Sequence, residues 1–225
     1  MKSITLYLIR HGETYFNVFQ AFQGWSDTPL TPTGIQQIQA CAAQLNDLPI
    51  TAVYASDMTR ARQTASILCH HNPWLIKGVQ VMSALREPFY GSFEGQKMAP
   101  IWQPIASQRG CLTYDDLVMQ YSVDQAQDWL AHADPSRLTE TSRDFWTRFT
   151  AGLTRIVTEQ PDHAQVLLVS HSAVIRALVA RYAPELLDPV TPENGKLTQL
   201  TLRQTDDEPL AIHVTAYNQL ALVPK

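Results

Sequence analysis

Ile4-Thr5-Leu6-Tyr7-Leu8-Ile9 runs without interruption into Arg10-His11-Gly12-Glu13-Thr14. A short apolar run rich in β-branched and aromatic residues, with no polar alternation, reads as a strand buried on both faces and therefore as a central parallel strand. Val166-Leu167-Leu168-Val169 has the same character and feeds a helical pattern over residues 173–182. Residues 51–54 read as a shorter strand and residues 79–82 as another. Between these lie two helical segments: residues 33–45, with Ile35, Ile38 and Leu45 on one side, and residues 58–68, with Ser56 or Asp57 placed to cap them. Strand and helix alternate, which predicts an α/β chain: a three-layer α/β/α sandwich around a mostly parallel central sheet.

The pattern changes after residue 95. Two helices are expected in residues 96–140, one opened by Thr113 with Asp116 three residues on, the other by Ser122 with Gln125 at the same spacing, and Asp134-Pro135 stops the second. A long amphipathic helix follows, with Phe145, Phe149, Leu153, Ile156 and Val157 on one face. After Asn194-Gly195, residues 197–202 and 211–216 alternate as a closing pair of strands. With no repeat or linker, residues 1–225 are expected to form one domain, with residues 96–140 as a helical cap inserted over the site.

Composition narrows the function. Hydrophobic residues make up 45% and charged residues 17% of the 225, enough apolar content to exclude disorder and bury a sizeable core. A net charge of −4 leaves no electrostatic footprint for nucleic acid or an anionic membrane, so neither is expected as a partner. Arg10 stops the first apolar run short of the length a signal h-region needs, and Cys41, Cys69 and Cys111 lack the spacing of a disulfide or zinc framework, so a cytoplasmic protein with buried thiols is expected. Of the 17 basic residues, 12 are Arg, the side chain whose planar fork suits carboxylate and phosphate.

In open α/β sheets, ligands bind beyond the carboxyl ends of the strands. His11 follows the first strand, His171 follows the strand at residues 166–169, and Arg60 falls in the first turn of the helix after residue 54. If those strands are neighbours, Arg10, His11, Arg60 and His171 converge. Two guanidinium groups can hold phosphoryl oxygens, Gly12 can offer backbone N–H groups, and a neutral imidazole beside arginines is a nucleophile. Glu87, after the strand at residues 79–82, can protonate a leaving oxygen. Taken alone, a histidine after a strand is an ordinary hydrogen-bonded residue; here several strand exits make the same demand. Arg62, Arg86 and Arg176 read as surface charges or as supports outside the site, and His70-His71 as cations at a helix C-terminus.

These residues carry a resemblance. Arg10-His11-Gly12-Glu13-Thr14 with Asn17, Gln23-Gly24-Trp25-Ser26-Asp27-Thr28-Pro29-Leu30-Thr31 with Gly34, Ser56-Asp57 through Arg60-Ala61-Arg62-Gln63-Thr64-Ala65, Glu87 before Gly91 and Phe93-Glu94-Gly95, and Ser170-His171 occur in that order. The chain resembles the histidine phosphatase superfamily, whose other branch is the cofactor-dependent phosphoglycerate mutases. The resemblance implies that His11 is the phosphorylated nucleophile, that Arg10, Arg60 and His171 hold the phosphoryl group, and that Glu87 is the proton donor and then the base. It implies a substrate-binding set of Asn17, Gln23, Gly24 and Ser172, a small phosphorylated substrate, no metal and no cofactor.

The expected activity is hydrolysis of phosphomonoesters through phosphohistidine. Mutase-type phosphotransfer is the alternative; that branch carries a tandem Arg-Arg with a nearby Lys after the acid, whereas residues 96–140 hold only Lys97, Arg109 and Arg137. Phe93-Glu94-Gly95 resembles the phosphatase branch. A silent, phospho-ligand-binding relative would have lost His11, Arg10 or Glu87, and all three are present. Trp102, Tyr114, Met119 and Tyr121 in the cap favour a partly apolar leaving group.

Overall fold

A computed structural model describes residues 1–45, 48–72, 78–187, 191–205 and 210–219. The strand that opens the chain, β1 (Lys2–Arg10), sits inside a six-stranded sheet. β2 (Ala52–Ala55), β3 (Val79–Val81) and β4 (Gln165–Ser170) run parallel with it, while β5 (Leu197–Gln204) pairs antiparallel with β1 and β6 (Ala211–Gln219) pairs antiparallel with β5, in the order β3-β2-β4-β1-β5-β6. The third strand is thus real but ends at Val81, one residue short of the expected span.

Register decides where chemistry can occur. Arg10 faces Ser170 across β1 and β4, and Ala55 faces Val169 across β4 and β2. The carboxyl ends of three adjacent strands are therefore level, and the residues just beyond them, His11, His171 and Ser56, emerge at one edge.

Side chains of β1 alternate between two cores, because successive strand residues point to opposite faces. Ile4, Leu6 and Leu8 join Tyr54, Val166 and Leu168 on one face; Tyr7 and Ile9 join Val53, Leu167 and Val169 on the other. The second face is covered by α2 (Pro32–Gln44) and α3 (Thr59–His71). Thr31 caps α2 by accepting the Gly34 N–H at 3.0 Å, with Pro32 at the first helical position, where its missing N–H costs nothing. A one-turn helix, α1 (Tyr15–Val18), lies in the loop between β1 and α2.

The first face is covered by α7 (Ser142–Glu159), α8 (Ser172–Tyr182) and the cap. Phe145, Phe149, Leu153, Ile156 and Val157 of α7 are all buried, as their spacing predicts. The cap holds three helices rather than two: α4 (Met98–Ser107), α5 (Tyr114–Gln120) and α6 (Val123–Ala133). Pro100 and Pro104 hide α4 from sequence reading, since proline ordinarily argues against a helix interior; Pro100 falls in the first turn, where no intrahelical N–H is needed, and Pro104 is carried inside. Thr113 and Asp116 form the expected capping box on α5, and Ser122 caps α6 by accepting from Gln125 N–H at 3.0 Å. Trp102, Leu117, Ala126 and Leu130 share one apolar cluster with the strands.

Capping of α3 differs from expectation. Met58 occupies the cap position and makes no side-chain cap bond. Ser56 turns to His171, and Asp57 pairs with Arg86, so both side chains serve tertiary contacts. The helix also continues to His71, which puts His70 and His71 in its last turn. Among the described residues no helix is long and apolar enough to cross a membrane.

Candidate active site

His11 leaves β1 buried, 4% exposed, with both ring nitrogens committed. Nδ1 lies 2.8 Å from the Gly12 carbonyl, which can only accept, so Nδ1 carries the proton. Nε2 accepts from Arg60 Nε at 3.3 Å and is therefore the unprotonated nitrogen. Burial, then the charges of Arg60 and Arg10, hold the imidazole pKa well below 6.5.

His171 stands edge-on to His11, with ring centroids 5.3 Å apart. Arg60 Nη2 lies 3.2 Å from its Nδ1 and, having only donors, makes that nitrogen an acceptor; Nε2 then donates to Ser56 Oγ at 2.7 Å. Burial and Arg60 hold this ring below its ordinary pKa as well. Arg60 is fully buried between the two rings, with further donation to the carbonyls of Ser26, Gln23 and Gly24 and an ion pair with Asp27 at 3.1 Å. Arg10 donates to the Pro192 carbonyl while its Nε has no partner among the described residues, and burial pulls its pKa down to about 10.

Glu87 approaches from the loop after β3. Its carboxylate accepts the N–H groups of Ala173 at 3.0 Å and Val174 at 3.2 Å, the opening turn of α8. Burial raises its pKa above the ordinary 4.5, against the lowering effect of those N–H groups and of Arg60 and Arg10. An unprotonated ring nitrogen, two guanidinium groups and a carboxyl group of raised pKa thus lie close together.

A cavity of about 530 Å³ opens between these groups and the cap. Arg10, His11, Glu87, Asn17, Gln23 and Ser172 line it. Arg60 meets His11 at Nε2 and His171 stands edge-on to its ring, though neither is among the lining residues. Gly24 is also outside: its N–H donates to Glu94 and its carbonyl accepts from Arg60, and a Cβ there would meet the Pro88 carbonyl at 2.1 Å. Gly12 differs from its expected role too. Its N–H donates to Thr64 Oγ1 at 3.2 Å and a Cβ would lie 2.6 Å from the Gly34 carbonyl, so this glycine permits close packing against α2 rather than contact with an anion. Among the described residues no group of three or more His, Cys, Asp or Glu could hold a metal ion.

Residues 6–214 match the family described as the histidine phosphatase superfamily, branch 1. The chain belongs to the histidine phosphatase superfamily. An adenosylcobalamin/alpha-ribazole phosphatase of Escherichia coli (strain K12) is 31% identical over 176 residues, 78% of this chain and 77% of that protein. A protein named probable phosphoglycerate mutase, from Proteus mirabilis (strain HI4320), is 45% identical over 65 residues, 29% of this chain and 30% of that one. A solved phosphoglycerate mutase from Bacillus anthracis strain Sterne superposes with a TM-score of 0.86 at 26% identity, over 97% of this chain and 94% of that one.

This histidine phosphatase superfamily member also uses residues that sequence reading passed over. Glu94, quoted only as part of a motif, gathers the N–H groups of Gly24, Trp25, Ser26 and Tyr90 and so shapes the loop whose carbonyls hold Arg60. Asn194, read as a turn residue, donates to the His11 carbonyl at 2.7 Å. Arg176, set aside as outside the site, lines the cavity and pairs with Asp115 at 2.6 Å. Trp102 and Tyr114 face the cavity as expected, whereas Met119 and Tyr121 are exposed and outside it. Those two sit toward the C-terminal end of α5, whose buried face is Leu117 and Val118.

Proposed function

We propose that the protein hydrolyses phosphomonoesters through a phosphohistidine on His11. The unprotonated Nε2 of His11, fixed by the Nδ1 bond to Gly12 and facing Arg60, supports this reading most directly. Nε2 attacks phosphorus as the ester P–O bond breaks, and protonated Glu87 gives its proton to the departing alkoxide oxygen. Water then attacks the phosphohistidine, Glu87 takes a proton from it, the P–N bond breaks, and inorganic phosphate leaves with His11 restored. Arg10 and Arg60 stabilise charge on the equatorial oxygens, the usual main term in phosphoryl transfer. His171, whose one N–H goes to Ser56 and whose Nδ1 accepts from Arg60, has no N–H left for the phosphoryl group and positions Arg60 instead. Asn17, Gln23 and Ser172 orient the ester from the cavity wall. The phosphatase relative similar over most of its length is in keeping with hydrolysis on a small phosphorylated substrate.

Purified protein is expected to hydrolyse p-nitrophenyl phosphate in EDTA, to form acid-labile labelled phosphohistidine, and to lose both properties in His11→Ala. Unchanged turnover by that variant overturns the mechanism. The TM-score of 0.86 to a mutase favours a second reading, phosphotransfer between positions of one small acid. Incubation of 3-phosphoglycerate with its bisphosphate and assay for 2-phosphoglycerate separates the two: formation of the isomer favours the mutase, release of phosphate alone the hydrolase.

A further inference from the structure

The cavity is far larger than a phosphoryl group, and its walls beyond Glu87 are ordered. Tyr90 Oη lies 3.5 Å from Glu87 Oε1, its ring is 4.9 Å from that of Phe22, Phe22 is 6.0 Å from Trp102, and Trp102 is 4.5 Å from Tyr114. An aromatic row therefore begins at the proton donor, where the alcohol must depart, and runs under the cap. Flat rings stack on such a surface at low entropic cost.

The row ends on charge. Arg176 from α8 sits over the Tyr114 ring at 5.0 Å and pairs with Asp115 of α5. Asp124 of α6, held by Trp146 Nε1 at 2.8 Å, adds a second carboxylate to the lining. Past the phosphoryl end the lining thus carries two carboxylates and one guanidinium, already matched to one of them. The remaining polar lining is amide and hydroxyl, from Gln20, Gln103, Gln127, Thr113, Ser142 and Thr191. A substrate with a second anion would meet uncompensated negative charge in a partly desolvated site, whereas an uncharged alcohol would meet stacking surface and neutral hydrogen-bonding groups.

We infer that the cap half of the cavity is a leaving-group subsite for uncharged alcohols bearing a flat ring and polar substituents, and that Asp115 and Asp124 exclude esters carrying a second anion. The inference rests on the hydrolase reading above and adds the substrate class. It also gives a physical reason for hydrolysis over mutase chemistry, whose substrate must present a carboxylate.

The test compares 4-carbamoylphenyl phosphate with 4-carboxyphenyl phosphate, near-isosteres differing in charge. Wild type is expected to favour the carbamoyl ester in kcat/KM by about tenfold or more. Asp124→Asn, which keeps an oxygen for Trp146, and Asp115→Asn are each expected to move the ratio toward unity. Dissociation constants of the same two esters on His11→Ala protein, by calorimetry, read the same selectivity without turnover. Equal or tighter binding of the carboxylate ester overturns the inference even if hydrolysis holds. Selective binding without any hydrolysis or phosphohistidine in wild type keeps the subsite and removes the hydrolase reading.

Discussion

Ser56 Oγ and His171 Nε2 lie 2.7 Å apart, joining the exits of β2 and β4 across 115 residues of chain. With Arg60 on Nδ1, this bond fixes both the tautomer and the plane of the second imidazole. Ser56→Ala is expected to leave KM near wild type and lower kcat by about tenfold to a hundredfold, because the ring, and with it Arg60, shifts from its place beside His11. Stability should fall by about 1–3 kcal/mol, since a buried N–H loses its acceptor. Steady-state kinetics together with urea unfolding check both; an unaltered kcat in a destabilised variant would confine Ser56 to a structural role.

The pH profile reflects two opposed shifts. In the proposed mechanism His11 acts unprotonated, and its pKa lies well below 6.5, so the rising limb of kcat/KM belongs on the acid side. In that mechanism Glu87 acts protonated, and its pKa lies above 4.5, so the falling limb begins higher than for an ordinary carboxyl. Activity is expected to peak at acidic to neutral pH and decline as Glu87 ionises. Glu87→Gln should flatten the falling limb and reduce kcat by about 10²–10⁴. A wild-type profile that climbs steadily above pH 8 would contradict both assignments.

Asp134 knots the end of α6 to the turn that carries Gly91. It accepts from Ser136, Leu138 and Thr139 N–H groups at 3.0, 3.0 and 2.9 Å, and from the hydroxyls of Ser92, Ser136 and Thr139. Burial pushes its pKa up, but these bonds outweigh burial and hold it well below the ordinary carboxylate range. The stabilisation is complete above the unfolded-state pKa and is lost as pH falls through the lower folded-state value. Asp134→Ala is expected to cost about 2–3 kcal/mol at pH 7, with the deficit shrinking below pH of about 4. Urea unfolding at the two pH values measures it.

Arg148 supports the loop that presents Glu87. Its guanidinium holds the carbonyls of Ala84, Arg86 and Glu87 at 2.9, 3.0 and 3.3 Å and pairs through two nitrogens with Glu140 at 2.9 and 2.7 Å. Arg148→Lys cannot serve both sets of acceptors, because an ammonium lacks the planar fork. It is expected to lower kcat by about tenfold or more and to displace the alkaline limb of the pH profile. An unshifted limb would mean that Glu87 is held by the α8 N–H groups alone.

Sequence alone determined the sandwich and which side chains gather at its strand ends. Residues 4–9 and 166–169 are apolar on both faces, so only an interior strand satisfies them, and the residues just beyond such strands in a parallel sheet are already near a ligand. Arg10, His11, Arg60, His171 and Glu87 could be picked out because Arg10 ends β1, His11 and His171 follow β1 and β4 directly, and Arg60 and Glu87 lie five and six residues beyond β2 and β3. α4 was hidden because Pro100 and Pro104 speak locally against a helix that its burial against the strands sustains.

Tertiary structure decided the rest. Whether Gly24 touches a ligand depends on Glu94, 70 residues away, taking its N–H. Whether Arg176 belongs to the site depends on α8 passing beneath the cap, and which cap aromatics face the cavity depends on the rotation of α5. Local periodicity records which face of an element is apolar, because burial of that face is a property of the element itself. It does not record which distant donor meets which acceptor, since that pairing exists only once sheet register and helix packing have set the distances.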